Sequence, residues 1–266
     1  MLRIGIIGAG RVAQALARAL TARGWDVVPI DSRALRSENR TLMIAVADDA
    51  LAEVATALAE ACPSGDGVAL HTSGAHGPEI LAPLAAKGFA CGTLHPLQTI
   101  SGADADVLQG AAFAISGGER AILFAEQIVA ALDGTALRVP SESRAAYHAA
   151  AVMASNYITA LIHAAEQLMK TAGVTGPEAR RALAPLIRQS VENSLDQGPA
   201  TALTGPIRRG DTGTVAAHLA ALDSAPESLR NLYRACGIYT LDVACEGGLS
   251  AEPASRIEKL LQCKTL

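Results

Sequence analysis

The stretch Ile4-Gly5-Ile6-Ile7-Gly8-Ala9-Gly10-Arg11-Val12-Ala13 decides the reading of this chain. An apolar run enters a glycine turn and leaves it as a helix, so the segment reads as strand, turn, helix. Gly8 permits the turn, Gly10 lets backbone approach a pyrophosphate, and Ala13 is small enough for the helix to lie against the strand. Phosphate would sit on the free N–H groups at the helix start. The context strengthens the pattern. Val12 to Leu20 has helical periodicity, Gly24 stops it, and Val27-Val28-Pro29-Ile30 forms a second strand ending in Asp31-Ser32-Arg33. Asp31 follows Gly8 by 23 residues, where a ribose-binding acid is expected.

The first 140 residues alternate short apolar runs with helical patterns, the mark of a parallel sheet covered on both faces. Further strands are expected at Leu42–Val46, Val68–Leu70, Phe89–Thr93, Ala111–Ser116 and Ala136–Val139, giving about seven. Asp48 or Asp49 is expected to cap the helix Ala50–Ala61. Pro140 breaks the pattern, Ser141 opens a helix expected to run to Ala172, and the remainder reads helical. The fold class is therefore α/β, a Rossmann-type doubly wound parallel sheet over 1–140 followed by an all-α domain over 141–266. That second domain is expected to bind substrate and to form a homodimer through an exposed apolar face.

Composition excludes several classes. Half of the 266 residues are apolar, ample for real cores, and 26 acidic against 22 basic residues give a net charge of −4. No long basic run is present, which argues against a nucleic-acid partner. Cys62, Cys91, Cys236, Cys245 and Cys263 show no metal-ligand spacing, so no metal is expected, and the odd, scattered set fits a reducing cytoplasm. No signal peptide is expected before the first strand, since Met1-Leu2-Arg3 leads straight into it. Ala145 to Ala165 carries no Asp, Glu, Lys or Arg over 21 positions. Its His148, Ser155, Asn156, Thr159 and His163 are costly in lipid, so a buried helix is expected there, not a membrane span.

Polar clusters follow the strand ends, where open α/β sheets bind ligands. His71-Thr72-Ser73-Gly74 could touch a nicotinamide or substrate, or cap the helix after Gly77. His95, held extended by Pro96, could bond substrate or fix its loop. On the long helix His148, Ser155 and Thr159 share one face by the three-to-four spacing, with Asn156 to one side. His148 is either a proton donor or a buried helix-contact histidine. Thr204-Gly205-Pro206-Ile207-Arg208-Arg209-Gly210-Asp211 carries two arginines, either of which could fork onto a carboxylate or simply be solvated. His76, His163 and His218 read as surface or packing residues.

The glycine turn, His71-Thr72-Ser73-Gly74, Leu94-His95-Pro96-Leu97-Gln98 and Leu203–Asp211 together resemble, over nearly the whole chain, bacterial proteins that join a Rossmann-like domain to a helical domain of unassigned function. That group is similar to the β-hydroxyacid dehydrogenase, ketopantoate reductase and pyrroline-carboxylate reductase lineage. The resemblance implies an NADP-dependent oxidoreductase, with NAD as the alternative cofactor, acting on a small carboxylated ketone. An imine reductase of pyrroline-carboxylate type and a non-catalytic dinucleotide sensor are the competing readings. Cofactor contacts are expected from Gly8, Gly10, Arg11, Val12 and Ala47, from Thr72 and Ser73, and at the adenosine ribose from Asp31, Ser32 and Arg33. Asp31 favours NAD, whereas Ser32 and Arg33 suit the 2′-phosphate of NADP. Catalysis is assigned to His148 with Asn156 orienting the carbonyl and His95 beside them, and substrate binding to Gln98, Ser155 and, by the resemblance, Arg209 over Arg208. Two departures stand out: the lysine that related reductases place early on the long helix is absent, Lys170 lying near its far end, and Ala47 replaces a common proline.

Overall fold

The computed structural model describes residues 2–30, 40–61, 64–102 and 106–263. Contacts divide the chain into two compact units, Met1–Ile158 and Thr159–Leu266. The change in sequence pattern at Pro140 thus precedes the change in contacts by one helix.

The first unit is built on seven strands: β1 (Arg3–Ile7), β2 (Asp26–Ile30), β3 (Thr41–Ile44), β4 (Val68–His71), β5 (Ala90–Leu97), β6 (Ala112–Gly117) and β7 (Thr135–Arg138). They lie in the order β2-β1-β3-β4-β5-β6-β7. Alternate side chains face opposite cores, as strand geometry requires. Met43 points to one core, with Ile4, Ile6, α1 (Arg11–Ala22) and α4 (Glu119–Ala131). Leu42 and Ile44 point to the other, with Ile7, α2 (Leu51–Ala61) and Leu84 of α3 (Ala82–Ala85). Burying both faces explains why these strands read as near-continuous apolar runs.

Three expectations need correction. The sheet is not wholly parallel, because β6 runs antiparallel to β5, His95 standing opposite Ala114. The described residues between these strands hold a single 3₁₀ turn, and a parallel return needs a longer crossover, usually helical. His95 and Pro96 are part of β5, not of a loop. Neither Asp48 nor Asp49 caps α2; Ala47 holds the cap position and the two acids fill the first 3₁₀ turn, where their charge still suits the helix dipole.

The expected helix from Ser141 to Ala172 is also interrupted. A 3₁₀ turn at Ser141–Ser143 leads into α5 (Arg144–Ala154), and α6 (Asn156–Thr171) starts after a break at Ser155, whose φ of −128° and ψ of −70° leave the helical region. The Ser155 hydroxyl lies 2.7 Å from the Ala151 carbonyl oxygen and 2.8 Å from Asn156 Oδ1, so its single proton is shared between two local acceptors that compete with the helix ladder. Nor is this segment buried: α6 has no buried residue and α5 has one, Arg144.

In the second unit α7 (Gly176–Gln197), α8 (Pro199–Ala202), α9 (Thr212–Ala221), α10 (Glu227–Glu246) and α11 (Ala251–Gln262) follow α6. Its core joins Ile207, Val215, Leu241, Ile257 and Leu261. Among the described residues no helix is long and apolar enough to cross a membrane.

Candidate functional site

The C-terminal ends of β1, β3, β4 and β5 surround a cavity of about 700 Å³. Gly8 turns the chain out of β1 at a φ of +123°, a conformation side chains rarely adopt, and a Cβ there would stand 2.2 Å from the Ala45 carbonyl oxygen. Gly10 caps α1 in extended geometry with no side-chain bond to the helix, and a Cβ on it would meet nothing within 4 Å. The first-turn amides of α1 therefore face the cavity beside open space, the chemistry an anionic diphosphate requires. Gly8, Gly10, Arg11, Val12, Ala47, Thr72 and Ser73 all line this wall. A dinucleotide pyrophosphate fits what these residues offer. Asp31, Ser32 and Arg33, assigned to the adenosine ribose, lie outside the described residues.

The loop after β4 is stiff. His71 is fully buried, its Nδ1 accepting from the Ser73 amide at 3.2 Å while Nε2 lies 3.0 Å from the Gly77 carbonyl oxygen. That pair of bonds defines a neutral imidazole with Nε2–H donating. Burial holds its pKa at about 4, with the Arg144 charge adding to the effect. The Ser73 hydroxyl accepts from the Ala75 and His76 amides, and Glu79 accepts from the Gly77 amide, so this segment ties its own turn together. Gly74 closes the loop against two imidazoles: a Cβ there would lie 2.6 Å from His148 Cδ2 and 2.8 Å from His95 Nε2.

His95 and His148 form the centre. Their rings meet edge to face at 5.9 Å. Both line the first cavity and also a second of about 330 Å³, bounded by Gln98, Val152, Ser155 and Asn156. The Ser155 hydroxyl lies 2.8 Å from the Asn156 amide oxygen, and the Asn156 N–H groups are donors. Gln98 turns its own oxygen back onto the Thr99 amide at 2.8 Å. Thus His148, His95, Gln98, Ser155 and Asn156, drawn from β5, α5 and the start of α6, converge on one chamber. Arg209 belongs to the second unit; it is exposed, and its charge helps to lower the Asp211 pKa, whereas the Arg208 side chain donates to the Gly247 carbonyl at 2.7 Å.

Sequence reading missed Arg144 and Tyr147. Arg144 is 1% exposed, donates to Thr93 Oγ1 at 2.9 Å, Ser116 Oγ at 3.4 Å and the Ser73 carbonyl at 2.8 Å, and pairs with no carboxylate among the described residues. Its carbon Cζ lies 5.9 Å from the centre of the Tyr147 ring, and the Tyr147 hydroxyl sits 2.8 Å from His95 Nδ1. Burial lowers the Arg144 pKa, and His95 is held at about 4, first by burial and then by the Arg144 charge. The available signal was the spacing Arg144, Tyr147, His148, which puts three side chains on one helix face.

Comparison with known proteins bears on the fold. Residues 25–96 match a Rossmann-like domain, and residues 111–240 match the domain of unknown function DUF2520. The chain joins a Rossmann-like domain to a DUF2520 domain. The DUF2520 match begins at β6 and so includes Arg144, Tyr147, His148 and Asn156. Among solved structures, a candidate NADP oxidoreductase from Bacteroides fragilis is 23% identical with a TM-score of 0.73, over 91% of this chain and 98% of that one. A Thermotoga maritima protein gives 23% identity and a TM-score of 0.74 over the same shares. Pyrroline carboxylate reductase from Plasmodium falciparum, solved with NADP bound, is 13% identical with a TM-score of 0.58, over 96% and 98%. The chain therefore has a fold found among NADP-dependent oxidoreductases. No curated protein matches it.

Proposed function

We propose that this protein is an NADP-dependent oxidoreductase that reduces a small carboxylated ketone of the ketopantoate kind. The observation that carries the reading is the shared wall: His95, Pro96, Gln98 and His148 line both the cavity beside the glycine turn and the smaller chamber next to it. One chamber suits the cofactor, and the other suits a substrate placed against its reactive end.

A bound nicotinamide dinucleotide would supply the hydride. Gly8, Gly10 and the first turn of α1 hold its pyrophosphate, and Ser32 with Arg33 supports the choice of NADP over NAD. In the smaller chamber the Asn156 amide donates to the substrate carbonyl and orients it, with Gln98 and Ser155 beside it. His148 gives its proton to the oxygen as negative charge develops there. Arg209 is the arginine of its turn proposed to bind a carboxylate, because Arg208 is held by the Gly247 carbonyl. The scattered cysteines, unpaired among the described residues, support a cytoplasmic location.

An imine is the second reading, supported by the absence of any Asp, Glu, Lys or Arg from the lining of the smaller chamber, which accepts a neutral C=N as readily as a C=O. Fluorescence titration with NADPH and NADH tests the cofactor, and failure of both to bind ends the proposal. Oxidation of NADPH in the presence of 2-oxo acids, 3-oxo acids and cyclic imines then separates the two substrate classes. His148→Ala should lower turnover roughly 10²- to 10⁴-fold while leaving cofactor affinity near that of the parent. Unchanged turnover would make His148 structural.

A further inference from the structure

We propose that Arg144 and Tyr147 are positioning residues that fix His95 as a permanently neutral imidazole with its Nε2 proton presented at the cavity wall. This inference deepens the oxidoreductase reading by giving the second histidine a role distinct from that of His148.

The hydroxyl of Tyr147 has one hydrogen-bond partner among the described residues, His95 Nδ1 at 2.8 Å. If Nδ1 carried the proton, the phenol would accept it and its own hydrogen would be left without a protein acceptor. If the phenol donates, both groups are satisfied, Nδ1 accepts, and the imidazole proton resides on Nε2. Nε2 is the His95 ring atom nearest a Cβ built on Gly74, which lines the first cavity together with His95. Neutral His95 then donates a hydrogen bond outward without titrating.

Arg144 gives the arrangement its rigidity and its charge. Three of its bonds reach elements that frame the site: Thr93 lies two residues before His95 on β5, Ser116 is its partner across the β5–β6 pairing, and the Ser73 carbonyl belongs to the loop that backs Gly74. The guanidinium also meets the Tyr147 ring, and that ring meets His95 edge to face at 5.6 Å. The Arg144 Nε atom has no partner, and no carboxylate among the described residues forms an ion pair with the side chain, Glu79 acting on it only at longer range, so a buried cation stands behind the imidazole. A second positive charge on His95 is opposed by that cation and, more weakly, by His148 and His71, while Asp48 alone favours it. An arginine suits this task better than a lysine because its fork reaches three acceptors at once.

The division of labour follows. His148 exchanges the proton consumed in each turnover, while His95 keeps its proton and holds the substrate oxygen in line.

The test is NMR of the full chain labelled with ¹⁵N in histidine, without any substrate, so it reads His95 directly and stands whether or not the reductase activity is found. Wild-type His95 is expected to show the Nε2–H tautomer with no titration between pH 5.5 and 8. In Tyr147→Phe the tautomer should become mixed, and in Arg144→Met the His95 titration should move upward towards neutral pH. Arg144→Lys should restore the neutral state only in part. An ordinary titration midpoint in the wild type, an Nδ1–H tautomer, or a folded Tyr147→Phe that keeps a single tautomer would overturn the proposal. Tyr147→Phe removes a single oxygen and decides the matter even if Arg144→Met does not fold. Where activity is measurable, Arg144→Lys should lower kcat with little change in KM for NADPH.

Discussion

A Cβ on Gly8 would stand 2.2 Å from the carbonyl oxygen of Ala45, whereas one on Gly10 would touch nothing. The two glycines of the same turn therefore answer to different demands, Gly8 to the fold and Gly10 to whatever docks there. Gly8→Ala combines a positive φ with a backbone collision and should cost at least about 2 kcal/mol of stability. Gly10→Ala should cost less than about 1 kcal/mol, as for a weaker helix cap. It should nevertheless weaken NADPH binding by about tenfold or more, equivalent to about 1.4 kcal/mol. Urea unfolding and a fluorescence titration on each variant check the pair. Full NADPH affinity in Gly10→Ala would remove the turn from the cofactor site.

Gly74 makes a similar case at the other end of the cavity. A methyl group there cannot coexist with His148 Cδ2 at 2.6 Å and His95 Nε2 at 2.8 Å, so both rings must shift. Misplacing catalytic groups by about 1 Å costs on the order of 100-fold in rate. Gly74→Ala should thus lose turnover while NADPH affinity stays within a few-fold of the parent. Equal kcat in the two proteins would show that the imidazoles do not need their present places.

His71 makes the fold sensitive to acid. The unfolded imidazole takes its proton near pH 6.5 and the folded one only near 4, because burial opposes the charge. Between those values the unfolded chain holds the extra proton, so stability is complete above about pH 6.5 and is lost as pH falls towards 4. The shift corresponds to about 3 kcal/mol for His71, and His95 acts over the same window. Urea midpoints measured from pH 7.5 down to 4.5 should decline along this curve. His71→Gln, though less stable at pH 7, should decline less steeply. Parallel curves for the two proteins would show that another group governs the acid response.

Much of this was legible in the chain, and the part that was not has a physical cause. The seven strands show because each is buried on both faces and must be apolar throughout, and the cofactor turn shows because its glycines answer to local backbone demands. His148 and Asn156 stand out in the sequence as polar residues in an otherwise apolar segment. Arg144 escaped because its partners Ser73, Thr93 and Ser116 are 71, 51 and 28 residues away, a network that no local pattern encodes. The break at Ser155 escaped for a subtler reason: a serine bonding back to Ala151 is compatible with an unbroken helix, and only the bond to Asn156 and the backbone angles reveal the interruption.

We propose that the helices of the second unit are covered by a second copy of the chain. α7 spans 22 residues with a single buried one, Ala179, and contains Pro185 in its interior. A proline inside a helix costs about 3 kcal/mol, and helical propensity alone contributes too little to hold such a segment in water. Packing must supply the rest, yet Leu186 and Leu195 on α7 are 65% and 80% exposed, and Leu161 on α6 is 44% exposed. A homodimer in which these helices of one protomer cover those of its partner supplies the missing burial, at roughly 1.5–3 kcal/mol for each large apolar side chain removed from water. Sedimentation at micromolar concentration should give twice the chain mass. Leu186→Glu with Leu195→Glu should shift the protein towards monomer and lower its melting temperature, since association and stability are linked by mass action. A wild-type protein that sediments as a monomer at that concentration would leave these side chains without the cover proposed, and the dimer would have to be abandoned.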